Sequence, residues 1–181
     1  MRALRGATTT LALHGLRPGA VLSRVLPADG AGEWGALREA EQDAVLTALA
    51  EVASVHVVAE GAVAPGDVDT VAALLDGFDP PAPSGVESPA PERHDGAWRL
   101  TVPLPFAERS AVQLTRWQDD LVVTAGDARR SLQLDPLLRR CEITGGRLAD
   151  PGTAAARLEV GFRPDPQLWP VDLLAAEGRT P

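Results

Sequence analysis

The side chains in this chain that could do chemistry are three histidines, one cysteine and a scatter of serines and carboxylates. His14, His56 and His94 fall in a turn, a strand and a Pro-rich segment. A zinc centre needs ligands that converge, most recognisably two histidines one helical turn apart. No pair has that spacing, so no metal site is expected. Cys141 is the single cysteine, which excludes an internal disulfide and a cysteine-rich zinc site. It stands between Arg140 and Glu142 with no histidine near it in sequence. A catalytic thiolate needs a base or a strongly positive setting, and a small half-buried core residue is the simpler reading. Ser23, Ser54, Ser84, Ser88, Ser110 and Ser131 lack the G-x-S-x-G setting of a hydrolase nucleophile. Asp119 and Asp120 lie between two strands, where local turn hydrogen bonding accounts for them. Paired acid/base carboxylates need a cleft and opposed environments, which nothing in the pattern suggests.

Phosphate chemistry meets a sharper obstacle. A phosphate-binding loop of the ATPase type needs a Gly-rich turn opening a helix, a lysine on the phosphates and a Ser or Thr on magnesium. All 17 basic residues of this chain are arginine. The planar guanidinium does not replace a compact ammonium inside such a loop, and Gly15, Gly19, Gly145 and Gly146 do not rebuild it. Autonomous ATP hydrolysis, and catalysis in general, are not expected, and no cofactor is expected.

Composition narrows the partners. At 181 residues the chain can bury one ordinary core or two small ones. A net charge of -8 disfavours a nucleic-acid partner. Arg129 with Arg130 and Arg139 with Arg140 read as solvated strand or turn positions. No apolar run approaches a membrane span. The start, MRALRGATTTLALHGL, carries positive charge and a short apolar patch without a small-residue cleavage site, and reads as a helix leading into the first strand. A reducing cytoplasm is the expected location.

The elements that would position any site divide in two. Residues 1 to 75 read as α/β. AVLSRVL gives a strand ended by Pro27. From Glu33 to Ala53, Trp34, Leu37, Val45, Leu49 and Val52 fall on one helical stripe, which predicts a helix with one buried side. VHVVA gives a short strand, and Val68 to Leu75 a helix with Asp67 as N-cap. Two parallel strands bury little by themselves, whereas parallel sheets are normally covered on both faces. This half therefore reads either as part of a domain needing a partner or as a cap packed on the second half. Residues 76 to 97, rich in proline, read as a semi-rigid linker.

Beyond the linker the pattern changes to period two. WRLTVPL, VQLTRW, DLVVTA, ARRSLQL, RCEIT and ARLEVGF alternate apolar and polar residues and are separated by turn residues, as half-buried strands require. Trp98 and Trp117 read as core or sheet-face residues. After Phe162, RPDPQLWPVDLLAAEGRTP leads into a tail, residues 171 to 181, with Trp169 read as folding back onto its own domain.

The order of an aromatic-led strand, the run Val102, Pro103, Leu104, Pro105, Phe106, then DDLVVTAGDARRSLQL, DPLLRRCEITGGRL and RLEVGF resembles the small heat-shock protein, or α-crystallin, domain. It is similar in detail to the version fused to the C-terminus of bacterial ArsA-type ATPases, the family of anion-pump and tail-anchored-protein-targeting ATPases. The segment TTTLALHGLRPGAVLSRVLP resembles the last part of the ArsA-type nucleotide-binding domain, where an Asn-Arg-Val-like sequence lies near the adenine. Ser23, Arg24 and Val25 stand there in this chain, so the amide that would read the base is missing.

The resemblance implies an α+β protein: a partial α/β segment at 1 to 75, then an all-β α-crystallin-like sandwich at 98 to 170. It implies a noncatalytic interaction module that binds a protein partner through sheet edges or an apolar surface, the partner being an intact ArsA-type ATPase or a second copy. Trp34, Leu37, Val45, Val57, Trp169 and Leu173 are the partner-binding residues this reading selects. An ATP-independent holdase-like chaperone, and a piece of a longer ArsA-type ATPase, are the two alternatives.

Overall fold

The computed structural model describes residues 2–25, 33–59, 67–76, 89–94 and 97–169. In chain order these form α1 (Arg2–Leu13), β1 (Ala20–Val25), α2 (Glu33–Ala50), β2 (Ser54–Ala59), α3 (Val68–Leu75), β3 (Glu92–His94), β4 (Ala97–Pro103), β5 (Val112–Trp117), β6 (Asp120–Ala125), β7 (Ala128–Gln133), α4 (Pro136–Arg139), β8 (Cys141–Ala149) and β9 (Arg157–Pro164). A single 3-10 turn, Arg109–Ala111, precedes β5. Two compact units result. One holds residues 2–4 and the chain from Arg17 through α3, and the other holds Arg5–Leu16 together with the chain from β3 onward.

The β-rich unit contains two antiparallel sheets, β3-β4-β9-β8 and β5-β6-β7. Alternation decides which face each strand buries. On β4 Leu100 and Val102 are buried, and on β9 Leu158, Val160 and Phe162 follow the same period. β6, the middle strand of its sheet, buries Leu121, Val123 and Ala125 in the same core cluster. The sheets meet face to face: a Cβ added at Gly146 on β8 would stand 2.9 Å from Leu114 Cδ2 on β5. Glycine at 146 thus lets the opposing leucine approach the backbone. One bulge, between Ile143 and Gly145, shifts the β8–β9 register. An α+β protein with a two-sheet antiparallel β unit is therefore what the residues build, as the α-crystallin resemblance implied.

Three departures from the sequence reading have physical causes. First, the expected boundary placed residues 1 to 75 in one α/β unit, but Arg5–Leu16 belongs to the β-rich unit. Leu13 is fully buried in that unit's core cluster. Second, the expected linker ran to residue 97, but Glu92–His94 pairs with β4, Glu92 opposite Arg99 and Arg93 opposite Trp98. Proline ends before β3 begins, which frees its backbone to donate. Residues 77 to 88, 95 and 96 of that expected linker lie outside the described residues. Third, Arg130 and Arg139 are not solvated ornaments. Arg130 Nη1 donates to the Leu13 carbonyl at 2.6 Å, and Arg139 Nε donates to the Leu134 carbonyl at 2.8 Å.

Arg116 does comparable work from β5. Its Nη2 donates to the Arg139 carbonyl at 2.8 Å and its Nη1 to the Cys141 carbonyl. These carbonyls belong to the end of α4 and the start of β8, so one guanidinium ties the three-stranded sheet to the four-stranded one. Arg116→Ala is expected to lower stability by about 1–3 kcal/mol, since it strands two partly buried acceptors. Urea denaturation of the variant measures it, and a change near zero would mean that water replaces the guanidinium.

On the outer face of the four-stranded sheet, Glu159 lies opposite Arg147. Arg147 Nη2 reaches its Oε2 at 2.8 Å and Arg157 Nε its Oε1 at 3.1 Å, and the Glu159 side chain is 11% exposed. The hydrogen bond from Arg147 comes first among the causes that hold the Glu159 carboxyl below its ordinary value of 4.5, with the charges of Arg147, Arg157 and Arg99 adding to it. A carboxyl lowered in the folded state stabilises the fold fully above its unfolded value and loses that contribution as pH falls through its folded value. Thermal melts of wild type and Glu159→Gln should therefore draw together as pH falls below the ordinary carboxyl value of 4.5. Parallel melt curves at every pH would show that Glu159 contributes nothing to the pH dependence.

Candidate interaction surfaces

Among the described residues, those that could react form no cluster able to hold a metal ion. Cys141 is 1% exposed and sits in the core cluster, as a core residue would. His14 follows α1 and His56 lies on β2, while the side chain of His94 falls outside those described. Asp119 meets Arg139 at 3.6 Å and Asp120 accepts from Ser131 at 2.8 Å, so both carboxylates serve the strand ends. No helix among the described residues is long and apolar enough to cross a membrane.

What the α/β unit offers is surface. β1 and β2 pair in parallel, Ala20 opposite Ser54 through Val25 opposite Ala59, and they make a sheet of two strands among the described residues. α2 packs against both strands. α3 begins where Asp67 accepts a hydrogen bond from the Thr70 amide at 3.0 Å, the N-cap its sequence position predicts. Burial within this unit is slight. Leu49 and Val58 are its buried hydrophobic side chains among the described residues.

The apolar stripe of α2 was expected to face a core, and the structure buries Leu49 of it but leaves Leu37 and Val45 open. Leu37 is 51% exposed and Val45 47%. On the strands Leu22 is 45% exposed and Val57 50%. The two strands described have too little area to bury a helix stripe and both of their own faces. Trp34 lies on α2, but its side chain falls outside those described, and Leu173 lies outside the described residues altogether. Ser23, Arg24 and Val25 form the end of β1 and line an open groove of about 260 Å³ with Arg38, Glu41 and Val45.

Trp169 belongs to the β-rich unit and is half-buried against its core. Its amide donates to the Asp165 carbonyl at 2.9 Å. Its Nε1 is buried with no acceptor among the described residues. With Pro136, Leu137 and Arg140 it lines a groove of about 280 Å³. Among the described residues the most exposed aromatic is instead Trp117 at 69%, which the sequence reading assigned to a core or sheet face. It ends β5 on the outward side of the period-two pattern.

The same strand order carries the match to known proteins: residues 95–162 match the family described as an HSP20-like domain found in ArsA. These residues are an ArsA-type HSP20-like domain. The Streptomyces coelicolor protein SCO2128 is 41% identical over 173 residues, which is 93% of this chain and 43% of that one. Protein Rv2184c of Mycobacterium tuberculosis is 34% identical over 161 residues, 81% of this chain and 36% of that one. The chain thus spans about two fifths of the length of the curated relatives it matches. Among solved structures, HSP18.5 from E. histolytica is similar over 45% of this chain and 93% of its own, at 13% identity and a TM-score of 0.30. The HSP20-like domain accounts for β4 to β9. The similarity to SCO2128 is long enough to run through the α/β unit as well.

Proposed function

We propose that this chain is a noncatalytic protein-interaction module whose α/β unit is completed by a protein partner. The partner is an ArsA-type ATPase or a second copy, and it contributes a parallel strand and apolar cover to the β1–β2 pair. One observation carries this reading. A parallel sheet of two strands stands with Leu22, Leu37, Val45 and Val57 all near half exposed, a state that parallel sheets do not ordinarily tolerate. Strand addition supplies main-chain hydrogen bonds at an open edge, and the exposed valine and leucines supply the burial. The same chemistry would serve if the remaining strands came from a longer ArsA-type polypeptide.

Light scattering across a concentration series, followed by a pull-down with an intact ArsA-type ATPase, tests it. Association is expected, and Leu37→Asp with Val57→Asp is expected to weaken it by about tenfold or more, the effect of charging the centre of an apolar interface. A stable monomer with a cooperative melt and no captured ATPase would sink the reading. The HSP20-like domain favours one rival, an ATP-independent holdase. In that case the chain would suppress the aggregation of a heated client, and Trp117→Ser rather than Val57→Asp would weaken the effect.

A further inference from the structure

The sequence of α1 is mixed: Arg2, Ala3, Leu4, Arg5, Ala7, Leu11, Ala12 and Leu13 favour a helix, and the other four residues do not. Gly6 and three consecutive threonines, Thr8, Thr9 and Thr10, are poor helix formers. Its first turn holds no acidic residue and its last turn no basic one, so the macrodipole is uncompensated by its own side chains. A helix of 12 residues is marginal in water even with a good composition. Contacts to the HSP20-like unit must therefore supply its order.

Those contacts form a receptor for one helix face and one helix end. Arg5, Thr9 and Leu13 follow each other at intervals of one helical turn and share a face. The Arg5 guanidinium lies over the Phe106 ring, 5.1 Å from its centroid. The Thr9 hydroxyl is 2.6 Å from the Pro105 carbonyl and 3.0 Å from that of Arg5. Its one proton goes to the nearer, so the bond runs to the β-rich unit rather than back into the helix. Leu13 is fully buried. The helix then ends in a left-handed glycine, Gly15 at φ 78, with the Leu16 amide on the Leu11 carbonyl at 2.8 Å and the Gly15 amide on Ala12 at 2.9 Å. The Leu13 carbonyl takes its bond from Arg130 at 2.6 Å, a cation at the negative end of the helix.

We infer that Pro105, Phe106, Arg130 and the core around Leu13 form a helix-receiving site, and that α1 is its resident, displaceable occupant. The ligand that fits is a short amphipathic helix of a partner protein. It carries a cation, a hydroxyl or small residue, and a leucine at successive turns, and it ends in a free carbonyl for Arg130. Pro105, Phe106 and Arg130 belong to the β-rich unit and Val57 to the α/β unit, so Val57→Asp is expected to leave peptide binding unchanged and the two readings fail independently.

The probe is a fluorescent peptide of residues 2–16, titrated against the full chain by anisotropy. α1 competes in wild type, so Leu13→Ser, which loosens α1, should bind the peptide about tenfold more tightly, as expected when a site is freed from its own occupant. Adding Arg130→Ala should weaken that binding again. In the unaltered chain, α1 amides should exchange hydrogen well before those of β6. A folded Leu13→Ser chain that ignores the peptide, or α1 amides as protected as those of β6, would overturn the proposal. Should Leu13→Ser fail to fold, the exchange experiment on wild type decides.

Discussion

Replacing Phe162 by alanine is expected to cost the HSP20-like unit about 3–5 kcal/mol, the range for removing a buried ring and leaving a cavity. Phe162 is 0% exposed, and it is the largest fully buried side chain among the described residues. It sits on β9, an inner strand of the four-stranded sheet, opposite Trp98 on β4 and Ile143 on β8. Neither neighbour can collapse into the space, because each is fixed by its own ladder. Trp98 reports on the change directly: its indole packs against the same core, so fluorescence-detected urea unfolding reads the loss at the site. Phe162→Leu should cost less than half as much, since it keeps most of the volume. A loss under about 1 kcal/mol for the alanine variant would mean that the core is not centred on β9.

The strands of this unit were legible because each has one buried face and explicit turns. Leu100 and Val102, or Leu158, Val160 and Phe162, repeat at period two, and Gly126, at φ 61, marks the β6–β7 turn. The α3 cap was legible for the same local reason, an Asp three residues before the amide it accepts from. β3 was not, because Glu92, Arg93 and His94 show no apolar alternation and pairing alone makes them a strand. α4 carried a signal that would have found it: Asp135 accepts from the Leu137 amide at 2.9 Å, and Pro136 holds the first turn.

What the pattern could not disclose is anything decided by distant backbone. The α2 stripe predicted burial, but a periodic stripe says only that a face is apolar. Leu37 and Val45 stay exposed because the described sheet has two strands to offer. The arginine pairs look like solvated charge in sequence, yet Arg130 and Arg139 find carbonyls at positions 13 and 134. A guanidinium's five donors fit such orphan carbonyls well, and no local spacing announces them. The docking of α1 belongs to the same class, since Thr9 and Pro105 are 96 positions apart.

That docking sets the second large effect. Leu13→Ala should lower the stability of the HSP20-like unit by about 2–5 kcal/mol if α1 leaves only when the unit unfolds, because a fully buried leucine is then truncated within a cooperative core. If α1 detaches locally first, the loss cannot exceed the free energy that holds it. Further weakening would simply populate the detached form while β6 and β9 stay folded. The two cases separate in a series, Leu13→Val, Leu13→Ala and Leu13→Gly, followed by urea unfolding and by exchange at α1 and β6 amides. A midpoint that keeps falling through the series places α1 in the cooperative core. A midpoint that levels off, with α1 amides alone losing protection, marks α1 as an occupant with its own docking equilibrium, and the level at which it stops measures that equilibrium. The second outcome is expected, because a helix of 12 residues that includes Gly6 and three threonines is marginal by itself and relies on the contacts from Arg5, Thr9 and Leu13.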